Sequence, residues 1–134
     1  MGDKLSNMVA CINRATKQRQ LSTLSPNTRI IRESLTLLYK LGYIRGFVVL
    51  DIKKIRVFMK YSEGEPALRS ITRVSKPGNR VYTTCKHWVR NITGKSAGNF
   101  SALSTFVLTT PQGLLTSEEV KFKRVGGEVL FVIN

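Results

Sequence analysis

Apolar residues recur along this chain with two periods, and the changes of period mark out its elements. Leu5, Met8, Val9 and Ile12 stand at i, i+3, i+4 and i+7, one face of a helix, with Asp3 placed to cap it, so residues 3–17 are expected to be helical. A short extended piece, LSTLS, leads to SPNTRIIRESLTLLYKLGYI, where Ser25 is a cap, Pro26 fits the first helical position, and Ile30, Ile31, Leu35, Leu38 and Leu41 form the stripe to be buried. Gly42 then ends the helix. The period next shortens to that of strands in FVVLDI, IRVFMKY and LRSITRV, separated by a charged turn around Lys53 and by SEGEP.

A second lobe opens at SKPGNRVY, where Pro77-Gly78 supplies a turn before a short strand at 80–84. KHWVRNI predicts a helical turn or two, TGKSAGNFS an exposed loop, ALSTFVL a strand and TTPQG a loop. Thr116 and Glu119 then form a capping box for a short helix ending near Gly126-Gly127, and EVLFVIN is an apolar terminal strand. The pattern predicts an α+β chain of two small lobes. Residues 1–70 form an N-terminal lobe of helix, strand, helix and strands, and residues 71–134 a mostly β C-terminal lobe with a short helix.

Charge changes the picture from fold to partner. The 134 residues are 42% hydrophobic, as expected of a folded chain, but 22 Lys and Arg against 8 Asp and Glu give a net charge of +14. Residues 1–60 hold 12 basic and 3 acidic groups and residues 61–134 hold 10 and 5, so both lobes are basic and no block of like charge forms a disordered tail. Such a surface points to a polyanion, most often nucleic acid. No apolar run approaches the roughly 18 residues of a membrane span, and MGDKLSNMVACI has no signal-peptide pattern, so no membrane partner is expected. Arg14, Lys17 and Arg19 near the first helix C-terminus admit two readings, complementation of the helix dipole or contact with phosphates.

Catalytic chemistry has little to stand on. Cys11 and Cys85 are isolated, and His87 near Trp88 reads as packing, so neither a zinc site nor a nucleophile with its base is expected. Glu118 and Glu119 suit a helix N-terminus, and no phosphate-cradling loop is present. The uncharged loop Thr109-Thr110-Pro111-Gln112-Gly113 is different. It sets hydroxyl, amide and backbone groups beside a strand, the kinds of group that can approach the wide, shallow minor groove of duplex RNA. The same five residues also read as nothing more than a tight connection.

Four stretches in order, DKLSNMVACINRA, SPNTR, RVSKPGNRVY and VGGEVLFVIN, resemble the bacterial-type family of small-subunit ribosomal protein number eight, and the likeness covers almost the whole chain. The resemblance implies a non-catalytic rRNA-binding protein of the small-subunit central domain, with neighbouring small-subunit proteins as further partners, no cofactor, no metal and no small-molecule substrate. It makes Thr109, Thr110, Pro111, Gln112 and Gly113 the RNA-reading loop, where the family has Ser-Thr-Ser-Lys-Gly. Pro111 therefore lacks a hydroxyl and an N–H, and Gln112 lacks a cation. The likeness extends to Lys76, Arg80 and Tyr82 in the interlobe signature, to Glu128 in the closing strand, and to Asn27, Thr28 and Arg29 at the second helix. Cys11 stands where the family has a basic residue, and Arg14, with Lys17 beyond it, is positioned to compensate.

The segment between Tyr82 and the loop is longer than is usual in the family. These departures point to an organellar ribosome, the mitochondrion being favoured over a plastid or a bacterial cytoplasm. Two other classes remain open at this stage: an adaptor binding neighbouring proteins through TGKSAGNFS and strand edges, and a small RNA-modifying enzyme using Cys85, His87 and Trp88.

Overall fold

A computed structural model describes residues 4–75, 80, 82–83 and 105–133. Asp3, the Pro77-Gly78 turn, the helical turn expected at 86–92 and the loop expected at 93–101 lie outside the described residues. The fold is mixed α+β, and the chain divides into two compact units, Met1–Ile71 and Thr72–Asn134.

In the first unit, α1 (Lys4–Lys17) buries Leu5, Met8, Val9 and Ile12, the four apolar positions of the helical stripe. It ends in a Schellman motif. Arg19 takes a left-handed φ of 54°, and the amides of Arg19 and Gln20 reach back to the carbonyls of Thr16 and Ala15 at 3.2 and 2.8 Å. The same device ends α2 (Arg29–Lys40), with Gly42 at φ 86° and the amides of Gly42 and Tyr43 on the carbonyls of Tyr39 and Leu38.

The start of α2 differs from the sequence expectation. Ser25 and Pro26 belong to β1 (Ser22–Pro26), and the N-cap is Thr28, whose hydroxyl accepts from Ile31 N at 3.3 Å. Pairing decides this: Ser25 lies opposite Ile55 and Pro26 opposite Lys54, and a proline is tolerated on an edge strand. Of the expected stripe, Ile31, Leu35 and Leu38 are buried along with Ser34, whereas Leu41 sits at the cap and is exposed.

Strands β1, β2 (Ile44–Val49) and β3 (Lys54–Met59) form an antiparallel sheet in the order β1-β3-β2. Burial alternates along β3, with Ile55, Val57 and Met59 inward and Lys54 and Arg56 exposed, so one face meets the helices and the other meets solvent. β2 starts earlier than FVVLDI suggested and stops before Asp51. The Asp51 carboxylate accepts from the amides of Lys53 and Lys54 at 2.7 and 2.8 Å and turns the chain there. SEGEP folds into a small hairpin of β4 (Tyr61–Ser62) and β5 (Glu65–Pro66). Arg19 NH1 donates to Gly64 O and Tyr61 OH to Gln20 O, so this hairpin is tied to the end of α1.

Of the stretch LRSITRV only β6 (Ile71–Arg73) is a strand. At its first residue the Asn13 side chain supplies both partners, donating to Ile71 O at 2.7 Å and accepting from Ile71 N at 2.8 Å.

In the second unit β10 (Gly127–Ile133) is central. It pairs antiparallel with β8 (Thr105–Thr110) on one side and with β6 and β7 (Tyr82–Thr83) as its remaining partners, and β9 (Gly113–Thr116) continues the sheet beyond β8. Val129 to Ile133 are all buried, which explains why this strand reads as a continuous apolar run without alternation. A register shift between Val129 and Phe131 breaks the ladder to β8, and Leu130 O accepts from Val74 N and from Arg73 NH1. Helix α3 (Ser117–Lys123) has the expected capping box, Thr116 Oγ1 accepting from Glu119 N and Glu119 reaching back to Thr116 N. Val120 anchors it on a core of Phe106, Leu108, Leu115, Val129 and Val132.

Candidate nucleic-acid interface

The stretch TTPQG is the tip of a β-hairpin. It does not run directly from a strand to a helix, as the sequence pattern suggested, because GLLT pairs back on β8 as β9 before α3 begins. Thr109 faces Leu114 and Thr110 faces Gly113, which leaves Pro111 and Gln112 as the turn. Proline fixes φ of the first turn residue near −65°, and Gly113 at φ 106° supplies the left-handed step that returns the chain to the sheet. Thr110 closes the turn from within. Its hydroxyl donates to Gly113 O at 2.8 Å and accepts from Gln112 N at 3.1 Å. Pro111, Gln112 and Gly113 are all exposed, so the tip presents one ring, one carboxamide and bare backbone on a frame already satisfied internally.

Gly127 holds this frame against the sheet. A Cβ there would lie 2.1 Å from Thr109 O and 3.1 Å from the Thr110 methyl carbon, so only glycine allows β10 to pass the hairpin base. Sequence reasoning took Gly126-Gly127 for a helix stop. The pair of glycines immediately before an apolar strand was the available signal for a close backbone approach.

On β10, Glu128 lies opposite Thr109 on one side and Tyr82 on the other, so the three share one face of the sheet. The Glu128 side chain is 13% exposed and accepts from Arg80 NH1 at 2.9 Å and from Ser75 Oγ at 2.5 Å. Arg80 is half-exposed and Tyr82 is 65% exposed, which gives the row a cation and an aromatic face that solvent can reach. Thr109, Glu128 and the pair Arg80 and Tyr82, three well-separated places in the sequence, are thus gathered beside the hairpin. Ser75, which sequence reasoning passed over, is the buried hydroxyl that helps hold Glu128. Lys76 lies outside the described residues.

Residues Asn27, Thr28 and Arg29 divide by role. Asn27 joins the start of α2 to the β2–β3 turn, its side chain donating to Asp51 O at 2.9 Å and accepting from Arg32 NH1 at 2.6 Å. Thr28 spends its hydroxyl as the N-cap. Arg29 alone projects into solvent, 87% exposed, in an i,i+4 pair with Glu33 that is worth about 0.3–0.5 kcal/mol and can be exchanged for another anion. Arg14 and Lys17 are exposed on α1, and Cys11 is half-buried between them and the helix start. Phe122, 88% exposed and followed by the exposed Lys123 and Arg124, is a further aromatic among cations that the helical pattern did not single out.

Among the described residues no group of three or more His, Cys, Asp and Glu could hold a metal ion, and no helix is long and apolar enough to cross a membrane. Cys85, His87 and Trp88 lie outside the described residues.

Comparison with known proteins covers nearly the whole chain. The family model for ribosomal protein S8 matches residues 3–134. The chain is 38% identical over 130 residues to the small ribosomal subunit protein uS8m of Acanthamoeba castellanii, covering 97% of this chain and 98% of that one. It is 36% identical over 134 residues to uS8 of Granulibacter bethesdensis, with 97% and 96% covered, and 35% identical over 137 residues to uS8 of Azorhizobium caulinodans, with 99% and 98% covered. A match over nearly the whole chain shows that it belongs to the ribosomal protein S8 family, a family of structural, non-enzymatic constituents of the ribosome.

Proposed function

We propose that this chain is a primary rRNA-binding protein of the small ribosomal subunit, that it organises central-domain rRNA during assembly, and that it works in a mitochondrial ribosome. The observation that carries the reading is the row Thr109, Glu128, Tyr82 beside a pre-closed hairpin tip. A tip whose turn hydrogen bonds are already made loses little freedom on binding, so its exposed edge can read the shape of an RNA minor groove. Pro111 offers a flat apolar surface for a ribose or base edge, and the Gln112 carboxamide offers both a donor and an acceptor to 2′-hydroxyls. Glu128 positions Arg80 and leaves it half-exposed toward the backbone, and Tyr82 adds a stacking face.

The dispersed cations supply attraction without sequence preference. Arg14, Lys17 and Arg29 on the first unit, with Lys76 and Arg80 on the second, are the groups proposed to neutralise flanking phosphates. Asn27 and Thr28 act through structure, by fixing where Arg29 emerges. The mitochondrial setting rests on the similarity to uS8m of Acanthamoeba castellanii together with the departures of the tip from Ser-Thr-Ser-Lys-Gly.

The test is a titration of the purified chain against a central-domain rRNA helix and a length-matched regular duplex over a range of salt. Tighter binding to the rRNA helix that persists at high salt is the expected result. Equal, salt-labile binding to both would remove the hairpin as a reader and leave only charge.

A further inference from the structure

We propose that the open edge of the first unit's sheet, at β2 and the turn that follows it, binds an extended segment of a neighbouring small-subunit protein that carries aliphatic side chains flanked by carboxylates. The inference uses membership of the small subunit and is independent of the hairpin's role in RNA reading.

Among the described residues β2 is an edge strand, paired with β3 alone in the order β1-β3-β2. Edge strands are ordinarily protected by charge, proline or brevity, because their outward N–H and C=O groups invite another strand. The first half of this one has such protection, an exposed Arg45 and a register shift between Ile44 and Gly46, but it ends in a run of exposed aliphatic residues: Val48 at 51%, Val49 at 48%, Leu50 at 49% and, across Asp51, Ile52 at 88%. Single exposed apolar residues are common on any surface, but a run of this kind signals a binding surface. The register extends it across the sheet, where Val48, Arg56 and Leu24 lie opposite one another, Leu24 being 42% exposed.

The chemistry selects the occupant. Valine, leucine and isoleucine have no π-face and no hydrogen-bonding group, so RNA bases and riboses gain little from them, whereas a polypeptide strand gains both apolar contact and backbone pairing. The rim is cationic. Arg45, Lys53, Lys54 and Arg56 are exposed, and the Asp51 carboxylate is turned onto the amides of Lys53 and Lys54. A second copy of this chain would bring like charges together, which disfavours self-pairing, while a segment flanked by aspartate or glutamate complements the rim.

The experiment uses small subunits assembled with the full-length chain carrying a photo-crosslinking p-benzoylphenylalanine at position 48 or 52, with co-sedimentation checked first. The expected product joins position 48 or 52 to one small-subunit protein, at a peptide containing aliphatic residues and flanking carboxylates. In parallel, Val48→Thr with Ile52→Ser is expected to lower retention of the chain on salt-washed subunits about tenfold while affinity for the isolated rRNA helix is unchanged. Crosslinks to rRNA, crosslinks to a second copy, absence of a product in co-sedimenting subunits, or normal retention of the double variant would each overturn the proposal. Loss of RNA selectivity by the unaltered chain would instead count against the hairpin reading alone.

Discussion

The carbonyl oxygen of Thr109 lies 2.1 Å from where a side chain on Gly127 would begin, so a bare backbone at one residue sets the position of the other. Gly127→Ala must displace either β10 or the hairpin base. Overpacking of this kind costs about 1–3 kcal/mol, which corresponds to a fall of roughly 4–8 °C in Tm per kcal/mol for a unit this small. Thermal denaturation followed by RNA titration measures both effects, and an unchanged Tm would refute the close approach.

Thr110 and Gln112 are predicted to affect selectivity. Thr110→Val keeps the shape but removes the hydroxyl that bonds Gly113 O and Gln112 N, at a cost of about 0.5–1.5 kcal/mol for each hydrogen bond. Binding to the rRNA helix should weaken more than binding to regular duplex, and Thr110→Ser should behave as the parent. Gln112→Leu should show the same selective loss without altering stability. Equal losses on both RNAs would count against the tip as a reader.

Arg80 and Glu128 are predicted to act with opposite sign on the salt dependence. Arg80→Ala should flatten the slope of log affinity against log salt by about one unit, and Lys76→Ala should do likewise. Glu128→Gln removes the carboxylate that Arg80 contacts at 2.9 Å, so it should raise affinity for any RNA while lowering preference for the rRNA helix. A parallel change in both variants would show that the ion pair does not position Arg80.

Asn13 is predicted to be a stability residue of the first unit. Asn13→Ala strips both partners from the backbone of Ile71, and each unsatisfied buried group costs about 1–3 kcal/mol. Urea denaturation should show a lower midpoint with RNA selectivity retained by the folded fraction. No shift in the midpoint would mean that water replaces the amide at no cost.

Much of this architecture is legible in the order of residues. Leu5, Met8, Val9 and Ile12 announce α1, Gly42 ends α2, and Thr116 with Glu119 opens α3, because each is a local rule whose partners lie within a turn or two. Where sequence reading fails, the deciding partner is distant. Ser25-Pro26 has the chemistry of a helix start, but pairing with Ile55 and Lys54 draws it into β1 and passes the cap to Thr28. TTPQG looks like a strand-to-helix loop until GLLT finds β8.

The candidate site divides in the same way. The hairpin residues read by type as either a reader or a tight connection, and resemblance to a family is what singles them out, as it does Glu128, Tyr82 and Arg80. That Glu128 stands between Thr109 and Tyr82 depends on register across β10, which no local pattern encodes; the glycine pair signals a close approach at Gly127 but not that the hairpin base is what it approaches.

The closed turn at Thr110 has a consequence for how such a protein changes over time. The hydrogen bonds that shape the hairpin end involve Thr110, Gly113 and the main chain of Gln112, and none uses the side chain of residue 111 or 112. Frame and lettering are therefore separate. Substitutions at the outward positions 111 and 112 leave the scaffold fixed, and under the proposed reading they would change what the tip presents to RNA without changing how the tip is built.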